Sequence, residues 1–219
     1  MDYPSRVTIQ TYDEVAETYA RRNADVSAAV RRDIAAFAQA LGPGAVVADV
    51  GCGPGRDSRL LRHEGLEVVG VDMSLGMLAA QVGGPVVCAD MRALPLRPGV
   101  CSGLWCQAAV LHVPRHQVAA VFGEFARVVR PGGVLHLSVA EGDGDGWEHG
   151  AYGSTGSRWF VRHRMSSLEP ALAEAGFADL DVERSTGGRD WLGAGPDVGC
   201  GEPACDQACS PSPRSWRSG

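Results

Sequence analysis

Apolar positions recur at two different spacings along the chain, and the change of spacing predicts where helices give way to strands. Between residues 11 and 41 they follow one another at steps of three and four, which is typical of amphipathic helices. Residues 23–25 are expected to separate two helices, and the Gly-Pro-Gly sequence at 42–44 to end the second. The next segment, residues 45–50, is a continuous valine-rich run, which indicates a strand buried on both faces.

Strands and helices are predicted to alternate from residue 45 onward. Strands are expected at residues 45–50, 66–71, 85–89, 102–107, 134–140 and 177–184, with a seventh beginning near 190–192, and helices at 56–63, 74–80, 118–129 and 167–176. This alternation predicts an α/β fold with a doubly wound, mostly parallel seven-stranded sheet, whose seventh strand is either complete or cut short. Ligands of such sheets bind outside the carboxyl ends of the strands, so we expect the site there.

The chain divides into three predicted segments. Residues 1–44 are expected to form an N-terminal helical lid, residues 45–195 the core with the binding site, and residues 196–219 a disordered or aberrant tail. The tail has no periodicity and is rich in Gly, Pro, Ser and Cys. Residues 141–156 are predicted to form a long loop, and loops of that length are usually functional or disordered.

The composition narrows the classes of partner. The formal net charge is −6, which disfavours a nucleic-acid partner, because binding phosphates needs a basic face. The chain shows neither an apolar run long enough for a membrane span nor a signal-peptide pattern, so we expect a cytoplasmic monomer or homodimer. All 20 basic residues are arginine, which excludes a Walker A loop and a Schiff-base lysine within this sequence.

The seven cysteines fall into two groups. Cys52, Cys88, Cys101 and Cys106 lie in apolar, strand-like segments, and we expect them to be small buried side chains. The other three are crowded into the tail without the paired spacing of a metal site. No metal ligands are therefore predicted.

A glycine-rich turn follows the first predicted strand. Its pattern, residues 51–55, is G-x-G-x-G, whereas the dinucleotide fingerprint is G-x-G-x-x-G, and Arg56 occupies the last position of that fingerprint here. Asp49 lies two residues before the first glycine. A carboxylate at that place repels a pyrophosphate and attracts an ammonium group. The turn therefore favours a ligand that carries an ammonium group over a dinucleotide.

The segment DVGCGPG, residues 49–55, resembles motif I of the class I S-adenosylmethionine (SAM)-dependent methyltransferases of the small-molecule type. The resemblance extends in order through VVGVDMS (68–74), VVCADMRALPL (86–96), LWCQAAVLHV (104–113) and RVVRPGGVLHLSVAEGDG (127–144), and it covers roughly residues 10–192. It implies a Rossmann-like methyltransferase fold and SAM as the cofactor. It also implies an enzyme that transfers a methyl group from SAM to an oxygen or nitrogen of a small-molecule acceptor.

The resemblance assigns the methionine part of SAM to the first and fourth strands. Gly51, Gly53 and Gly55 are expected to pass beneath the methionine part and the ribose. Asp49 is expected to help hold the ammonium group, and Gln107, at the end of the fourth strand, to offer it a carbonyl oxygen.

The resemblance also implies that residues at the ends of the second and third strands bind the nucleoside part of SAM. Asp72 is expected to accept hydrogen bonds from both ribose hydroxyls, and Met73 to pack on the adenine. Asp90 is expected to accept from the adenine amino group, and the backbone N–H of Met91 to meet a ring nitrogen. Without the resemblance, the two acids are equally explained as helix N-caps or turn residues, and Met73 as a core residue.

Two tyrosines of the first predicted helix are further candidates for binding the cofactor, and one histidine is the candidate for the acceptor side. Tyr12 and Tyr19 resemble the N-terminal helix that covers SAM in small-molecule members, although their spacing also suits simple packing on one helix face. His112 is the candidate general base, which a hydroxyl or protonated amine needs; it can equally cap a turn before Pro114. We also expect His163 and Trp159 to line the acceptor pocket.

The alternatives belong to two other classes. One is a catalytically inactive SAM-fold protein with a binding or regulatory role, which the unusual tail keeps open. The other is a nicotinamide-dependent reductase, which Asp49 and Arg56 disfavour. The fourth strand is followed by CQAA and not by the [DN]-P-P-[YF] motif of adenine-DNA and protein-glutamine methylases, which disfavours those acceptors.

Overall fold

A computed structural model describes residues 2–81, 83–178, 180–185 and 191–196. The helices are α1 (Tyr3–Arg22), α2 (Ala28–Leu41), α3 (Arg56–His63), α4 (Leu75–Ala79), α5 (Val118–Val128) and α6 (Met165–Glu174), and the strands are β1 (Val46–Val50), β2 (Glu67–Asp72), β3 (Val86–Cys88), β4 (Cys101–Gln107), β5 (Val129–Ala140), β6 (Asp145–His149), β7 (Ser157–Val161), β8 (Leu180–Ser185) and β9 (Trp191–Pro196). A 3-10 turn, Val110–His112, follows β4.

Seven of these strands form one sheet in the order β3-β2-β1-β4-β5-β9-β8. The first five strands in this order are parallel to one another, and β9 runs antiparallel to both β5 and β8. The predicted α/β class and mostly parallel sheet are therefore confirmed. The order reverses between β1 and β4, and the carboxyl ends of these two strands form the crevice in which ligands of such sheets bind.

The seventh predicted strand, expected to begin near residues 190–192, corresponds to β9 in the sheet. β9 pairs with β5 through residues 191–194 and with β8 along its whole length. The predicted division of the chain at residues 44 and 196 stays a prediction, and the expected tail from residue 197 onward lies outside the described residues.

The first helix begins earlier than the hydrophobic spacing predicts, at Tyr3 instead of residue 11. The side chain of Asp2 accepts a hydrogen bond from the Ser5 backbone N–H at 2.8 Å, which caps the helix. Pro4 in the first turn costs nothing there, since that N–H has no partner within a helix. Polar capping residues extend the helix beyond its apolar face.

The prediction of a long loop over residues 141–156 is wrong. Within this segment β6 forms an antiparallel hairpin with β7. Trp147 and Trp159 lie opposite each other, with ring centroids 5.1 Å apart. Thr8 and Thr11 of α1 form hydrogen bonds with the backbone of β7. Contacts with a distant helix stabilise this hairpin, and the local sequence does not reveal them.

The sheet carries a hydrophobic core on each face. On one face, α2 places Ile34 and Phe37 against Trp105 of β4; on the other, α5 and α6 pack Phe122, Phe125 and other apolar side chains against β4 and β5. Cys52, Cys101 and Cys106 are buried as expected, but Cys88 is exposed, because β3 is an edge strand of the sheet. Among the described residues, no helix is both long and apolar enough to cross a bilayer.

Candidate functional site

A cavity of about 840 Å³ lies at the carboxyl ends of the parallel strands, beneath α1. Its walls come from the ends of four strands and from one side of α1, and the lining residues include Thr8, Ile9, Tyr12, Tyr19, Gly51, Gly53, Asp72, Met73, Asp90, Met91, Arg92, Gln107, Ala109, His112 and Val113. The structure thus brings together most of the site residues predicted from the sequence.

A second cavity of about 690 Å³ shares part of this lining. Tyr19, Gly51, Gly53 and Gln107 line both cavities, and Asp49 lines the second. The glycine turn therefore lies between two spaces, one bordered by Asp72 and Asp90 and the other by Asp49. An elongated ligand that crosses the turn would contact both.

The glycine turn brings its backbone close to neighbouring strands. The N–H of Gly51 donates to the Val71 carbonyl at 2.7 Å, and a Cβ at Gly51 would stand 2.2 Å from the Cβ of Ala109. Gly53 adopts φ +53°, and a Cβ there would meet nothing within 4 Å. Gly55 precedes the first residue of α3 and lines neither cavity, so its predicted contact with the cofactor stays a prediction.

Asp72, the last residue of β2, is held by backbone donors. One carboxylate oxygen accepts the N–H of Gly53 at 2.9 Å, and the other accepts the N–H of Ser74 at 2.8 Å. Burial raises the pKa of Asp72, and the backbone hydrogen bonds oppose that rise. These bonds orient the carboxylate in the lining of the larger cavity.

Asp90 forms a two-pronged ion pair with Arg92. Nε and Nη2 of Arg92 donate to the two carboxylate oxygens, with Nε 2.8 Å from Oδ1 and Nη2 2.6 Å from Oδ2. Burial raises the pKa of Asp90, but the hydrogen bonds and charge of Arg92 outweigh it, so the pKa is lowered overall. Asp90 therefore stays ionised as a hydrogen-bond acceptor near neutral pH. The sequence analysis did not identify Arg92, whose partners become evident only in the folded chain.

Asp49 is almost fully buried and accepts a hydrogen bond from the hydroxyl of Ser58 at 2.5 Å. Burial raises its pKa to about 7, with a further rise from Asp57 and a partial offset from Ser58. Near Asp49, the side-chain oxygen of Gln107 lies 2.8 Å from Nε2 of His136. A cationic group beside Asp49 would favour its ionised form.

Tyr12 and His112 meet at the edge of the larger cavity. The phenol oxygen of Tyr12 lies 2.8 Å from Nε2 of His112, and Nδ1 of His112 lies 2.6 Å from the backbone oxygen of Trp159. Since that carbonyl only accepts, Nδ1 carries the proton and Nε2 is the acceptor in the neutral ring. Nη1 of Arg158 donates to the same phenol oxygen at 3.1 Å. Burial raises the pKa of Tyr12 to about 12, so Tyr12 stays a neutral phenol.

Arg158 is a further residue that the sequence analysis did not identify as part of the site. Its side chain is 12% exposed, it lies 3.6 Å from a carboxylate oxygen of Glu148, and its guanidinium lies within 5.5 Å of the ring centroids of Tyr12, Tyr152 and Phe160. The hairpin positions both Arg158 and the Trp159 carbonyl. A basic side chain in a polar segment gives no local signal of such a position.

Two residues expected at the acceptor pocket, His163 and Trp159, are not in the lining of the larger cavity. His163 is 1% exposed and does not line the cavity, because the backbone N–H of residue 163 bonds to the end of β5 and draws the residue into the interior. The side chain of Trp159 lines an outer groove beside Pro114 and His116, and only its backbone carbonyl reaches His112. In the described part of the chain, no group of His, Cys, Asp or Glu side chains is arranged to hold a metal ion.

The residues present fit SAM as a ligand. Gly53 lines the cavity where a larger side chain would fill it, and Asp49 and Asp72 offer carboxylates to an ammonium group and to hydroxyls. The arginine that lines the larger cavity, Arg92, is already paired with Asp90 and Asp2, whereas Arg56 and Arg59 line the second cavity. A pyrophosphate in the larger cavity would therefore meet acids and an already paired cation.

Comparison with known proteins points to one family. The sequence model of the family described as "Methyltransferase domain" matches residues 48–137. A trans-aconitate 2-methyltransferase of Azoarcus sp. (strain BH72) is 34% identical over 179 residues, which are 78% of this chain and 65% of the relative. A malonyl-[acyl-carrier protein] O-methyltransferase of Pseudescherichia vulneris is 34% identical over 134 residues, 59% of this chain and 52% of the relative.

Solved structures show the same fold. The 1,6-didemethyltoxoflavin-N1-methyltransferase of Burkholderia thailandensis, solved with 1,6-didemethyltoxoflavin and S-adenosylhomocysteine, has a TM-score of 0.67 and 22% identity, with 89% of this chain and 90% of that one covered. The chain spans about half the length, or less, of the first curated relatives that it matches. Residues 48–137 therefore match a methyltransferase domain, and the fold is the Rossmann-like fold of SAM-dependent methyltransferases.

Proposed function

We propose that this protein transfers a methyl group from SAM to an oxygen or nitrogen nucleophile of a small-molecule acceptor. The observation that carries the proposal is the Tyr12–His112 pair, which places a proton acceptor at the edge of the cavity formed by the glycine turn, Asp72 and Asp90. When bound, SAM supplies a methyl group on a positively charged sulfur. The chain's own residues must hold the two reactants in line and accept a proton.

Four residues in the lining of the cavity are proposed to bind the nucleoside part of SAM. Asp72 would accept from the ribose hydroxyls, and Asp90 and the backbone of Met91 would recognise the adenine, with Met73 beside it. The lining of the cavity by all four residues supports these roles. Asp49, on the other side of the glycine turn, would hold the ammonium group, and its burial strengthens that interaction.

The acceptor side can receive a proton. Tyr12 donates its own hydrogen to Nε2 of His112, and one lone pair of the phenol oxygen takes the hydrogen bond from Arg158. One lone pair is left for a hydroxyl or amine of the acceptor. As that nucleophile loses its proton to the phenol oxygen, the phenol proton passes to Nε2, and the Trp159 carbonyl stabilises the resulting imidazolium through Nδ1–H.

The remaining features of the proposal concern partners and location. We expect a small-molecule acceptor, no nucleic-acid partner, and a monomer or homodimer in the cytoplasm. The net charge of −6 supports the second expectation, since nucleic acids repel an acidic surface. Light scattering and cell fractionation test the others.

The test is transfer of a labelled methyl group from SAM into fractions of a metabolite extract. We expect label in at least one fraction with the wild-type protein, and a loss of about 100-fold or more with His112→Gln. His149→Gln, a change at an exposed histidine of the hairpin, is the matched control and should keep full activity. S-adenosylhomocysteine binding without label in any fraction would favour the alternative, an inactive binding or regulatory protein.

A further inference from the structure

The N-cap of α1, Asp2, and an acid within α1, Asp13, share hydrogen-bond partners with Asp90 and Asp72 in the lining of the cavity. Asp2 and Asp90 both bind Arg92, and Asp13 and Asp72 both bind Ser74. Each bridge is therefore a direct connection between the helix that covers the cavity and a carboxylate in its lining.

The first bridge is the guanidinium of Arg92. Nε and Nη2 hold Asp90, while Nη1 lies 2.8 Å from a carboxylate oxygen of Asp2. The other oxygen of Asp2 caps α1 through the Ser5 N–H. Because the guanidinium is planar and rigid, a shift of Asp90 is passed on to the start of the helix. Burial raises the pKa of Asp2, but the bonds from Ser5 and Arg92 outweigh it and lower the pKa overall.

The second bridge is Ser74, the N-cap of α4. Its N–H donates to Asp72 at 2.8 Å, and its hydroxyl donates to Asp13 at 2.6 Å. The same oxygen of Asp13 accepts the N–H of Gly76 at 2.8 Å, and a Cβ at Gly76 would lie 2.7 Å from the Asp13 backbone oxygen. The middle of α1 therefore lies directly on the start of α4.

Tyr12 precedes Asp13 in α1. Asp13 belongs to the Ser74 bridge, and Tyr12 itself contacts Arg158 of the hairpin. Thr8 and Thr11 hold α1 to the hairpin, and the bridges hold it to the sheet. We propose that Arg92 and Ser74 are positioning residues, which transmit binding of the nucleoside part of SAM to α1 and so hold the Tyr12 hydroxyl on His112. This inference rests on the proposed function, because it takes the ligand of Asp72 and Asp90 to be that nucleoside.

Thermodynamic coupling between nucleoside binding and the docking of α1 must act in both directions. If nucleoside binding stabilises the docked position of α1, then weakening the docking of α1 must weaken nucleoside binding by the same factor. Asp2 and Asp13 allow this to be tested, since neither side chain lines the larger cavity.

The experiment compares hydrogen–deuterium exchange and calorimetric affinity, with S-adenosylhomocysteine as the probe. The variants are Asp2→Asn, in which asparagine still caps the helix while the negative charge paired with Arg92 is lost, and Asp2→Asn combined with Asp13→Ala. Asp143→Asn is the matched control, because it removes one negative charge from a surface pair with Arg164. Thermal unfolding without ligand checks that each variant is folded.

In the wild type and the control, we expect the probe to slow exchange in residues 3–22 and in residues 46–55. In the double variant, the probe should still protect residues 46–55 but no longer residues 3–22, and its affinity should fall three- to tenfold. Wild-type affinity and wild-type protection of residues 3–22 in the double variant would overturn the inference alone. Failure of the wild-type protein to bind the probe would overturn the proposed function as well.

Discussion

The phenol oxygen of Tyr12 lies 2.8 Å from Nε2 of His112, although the two residues are 100 positions apart in the chain. One comes from the helix above the sheet and the other from the turn after β4. Their meeting depends on the hairpin, since the Trp159 carbonyl binds the other ring nitrogen of His112 and Arg158 binds the phenol. The acceptor side that we propose is therefore assembled from three separate parts of the chain.

Replacement of Tyr12 by Phe should slow methyl transfer and leave cofactor binding nearly unchanged. The ring would still pack against Tyr19 and His112, but the hydroxyl that connects the acceptor to Nε2 would be gone. We expect a fall in kcat of about 100-fold and a change in S-adenosylhomocysteine affinity of less than about 1 kcal/mol. The measurement is steady-state transfer of labelled methyl groups, with Tyr3→Phe, at an exposed tyrosine, as the control. Full kcat in Tyr12→Phe would exclude the proton path.

Replacement of Asp72 by Ala should weaken SAM binding by about 1–3 kcal/mol, the usual effect of losing a charged hydrogen-bond partner. Calorimetry with S-adenosylhomocysteine measures it. Because Asp72 also accepts two backbone N–H groups, unfolding must be followed in parallel. Asp72→Asn keeps one carbonyl acceptor and should have an intermediate affinity. A folded Asp72→Ala protein with unchanged affinity would show that the ribose contact is wrongly assigned.

Addition of a side chain at Gly53 should prevent cofactor binding without a packing clash. A Cβ there meets no protein atom within 4 Å but stands in the lining of both cavities. Gly44→Val is the matched control, since Gly44 also has a positive φ and open space around it but is not in the lining of either cavity. Both changes carry a backbone strain of roughly 1–2 kcal/mol, so thermal unfolding should shift alike. Only Gly53→Val should lose affinity for S-adenosylhomocysteine, and equal affinities would place the ligand elsewhere.

Cofactor affinity should increase with pH across neutrality. The pKa of Asp49 is raised to about 7 by burial, and a neighbouring ammonium group would lower it by favouring the charged form. Below pH 7 the carboxyl must lose a proton before it can pair, so affinity should fall as the pH decreases, by up to about tenfold per pH unit. Calorimetry at pH 6, 7 and 8 measures this, and Asp49→Asn should flatten the dependence. A pH-independent wild-type affinity would argue against the role of Asp49.

Local patterns predict which residues lie at the crevice of the sheet. Strand, glycine turn and terminal acid follow one another within a few residues at β1 and β2, so the sequence indicates Asp49, Gly53 and Asp72 as residues of the crevice, and their contacts with the cofactor stay a prediction. Their positions at the carboxyl ends of a parallel sheet follow from the alternation of strands and helices.

Long-range contacts explain what the sequence did not reveal. The hairpin β6–β7 is polar and glycine-rich, and it is held by threonines about 150 positions away in α1. Arg158 and Arg92 have the same sequence character as solvent-exposed arginines, and only the fold brings their carboxylate and phenol partners to them. The apolar sequence around Cys88 is typical of a core strand, but Cys88 is exposed because β3 lies at the edge of the sheet.

The measurement that tests the central claim most directly is a pair of calorimetric titrations of the wild-type protein, one with S-adenosylhomocysteine and one with NADH. The account predicts micromolar binding of S-adenosylhomocysteine and no binding of NADH, because Asp49 and the displaced third glycine disfavour a pyrophosphate. Binding of NADH without binding of S-adenosylhomocysteine would contradict it.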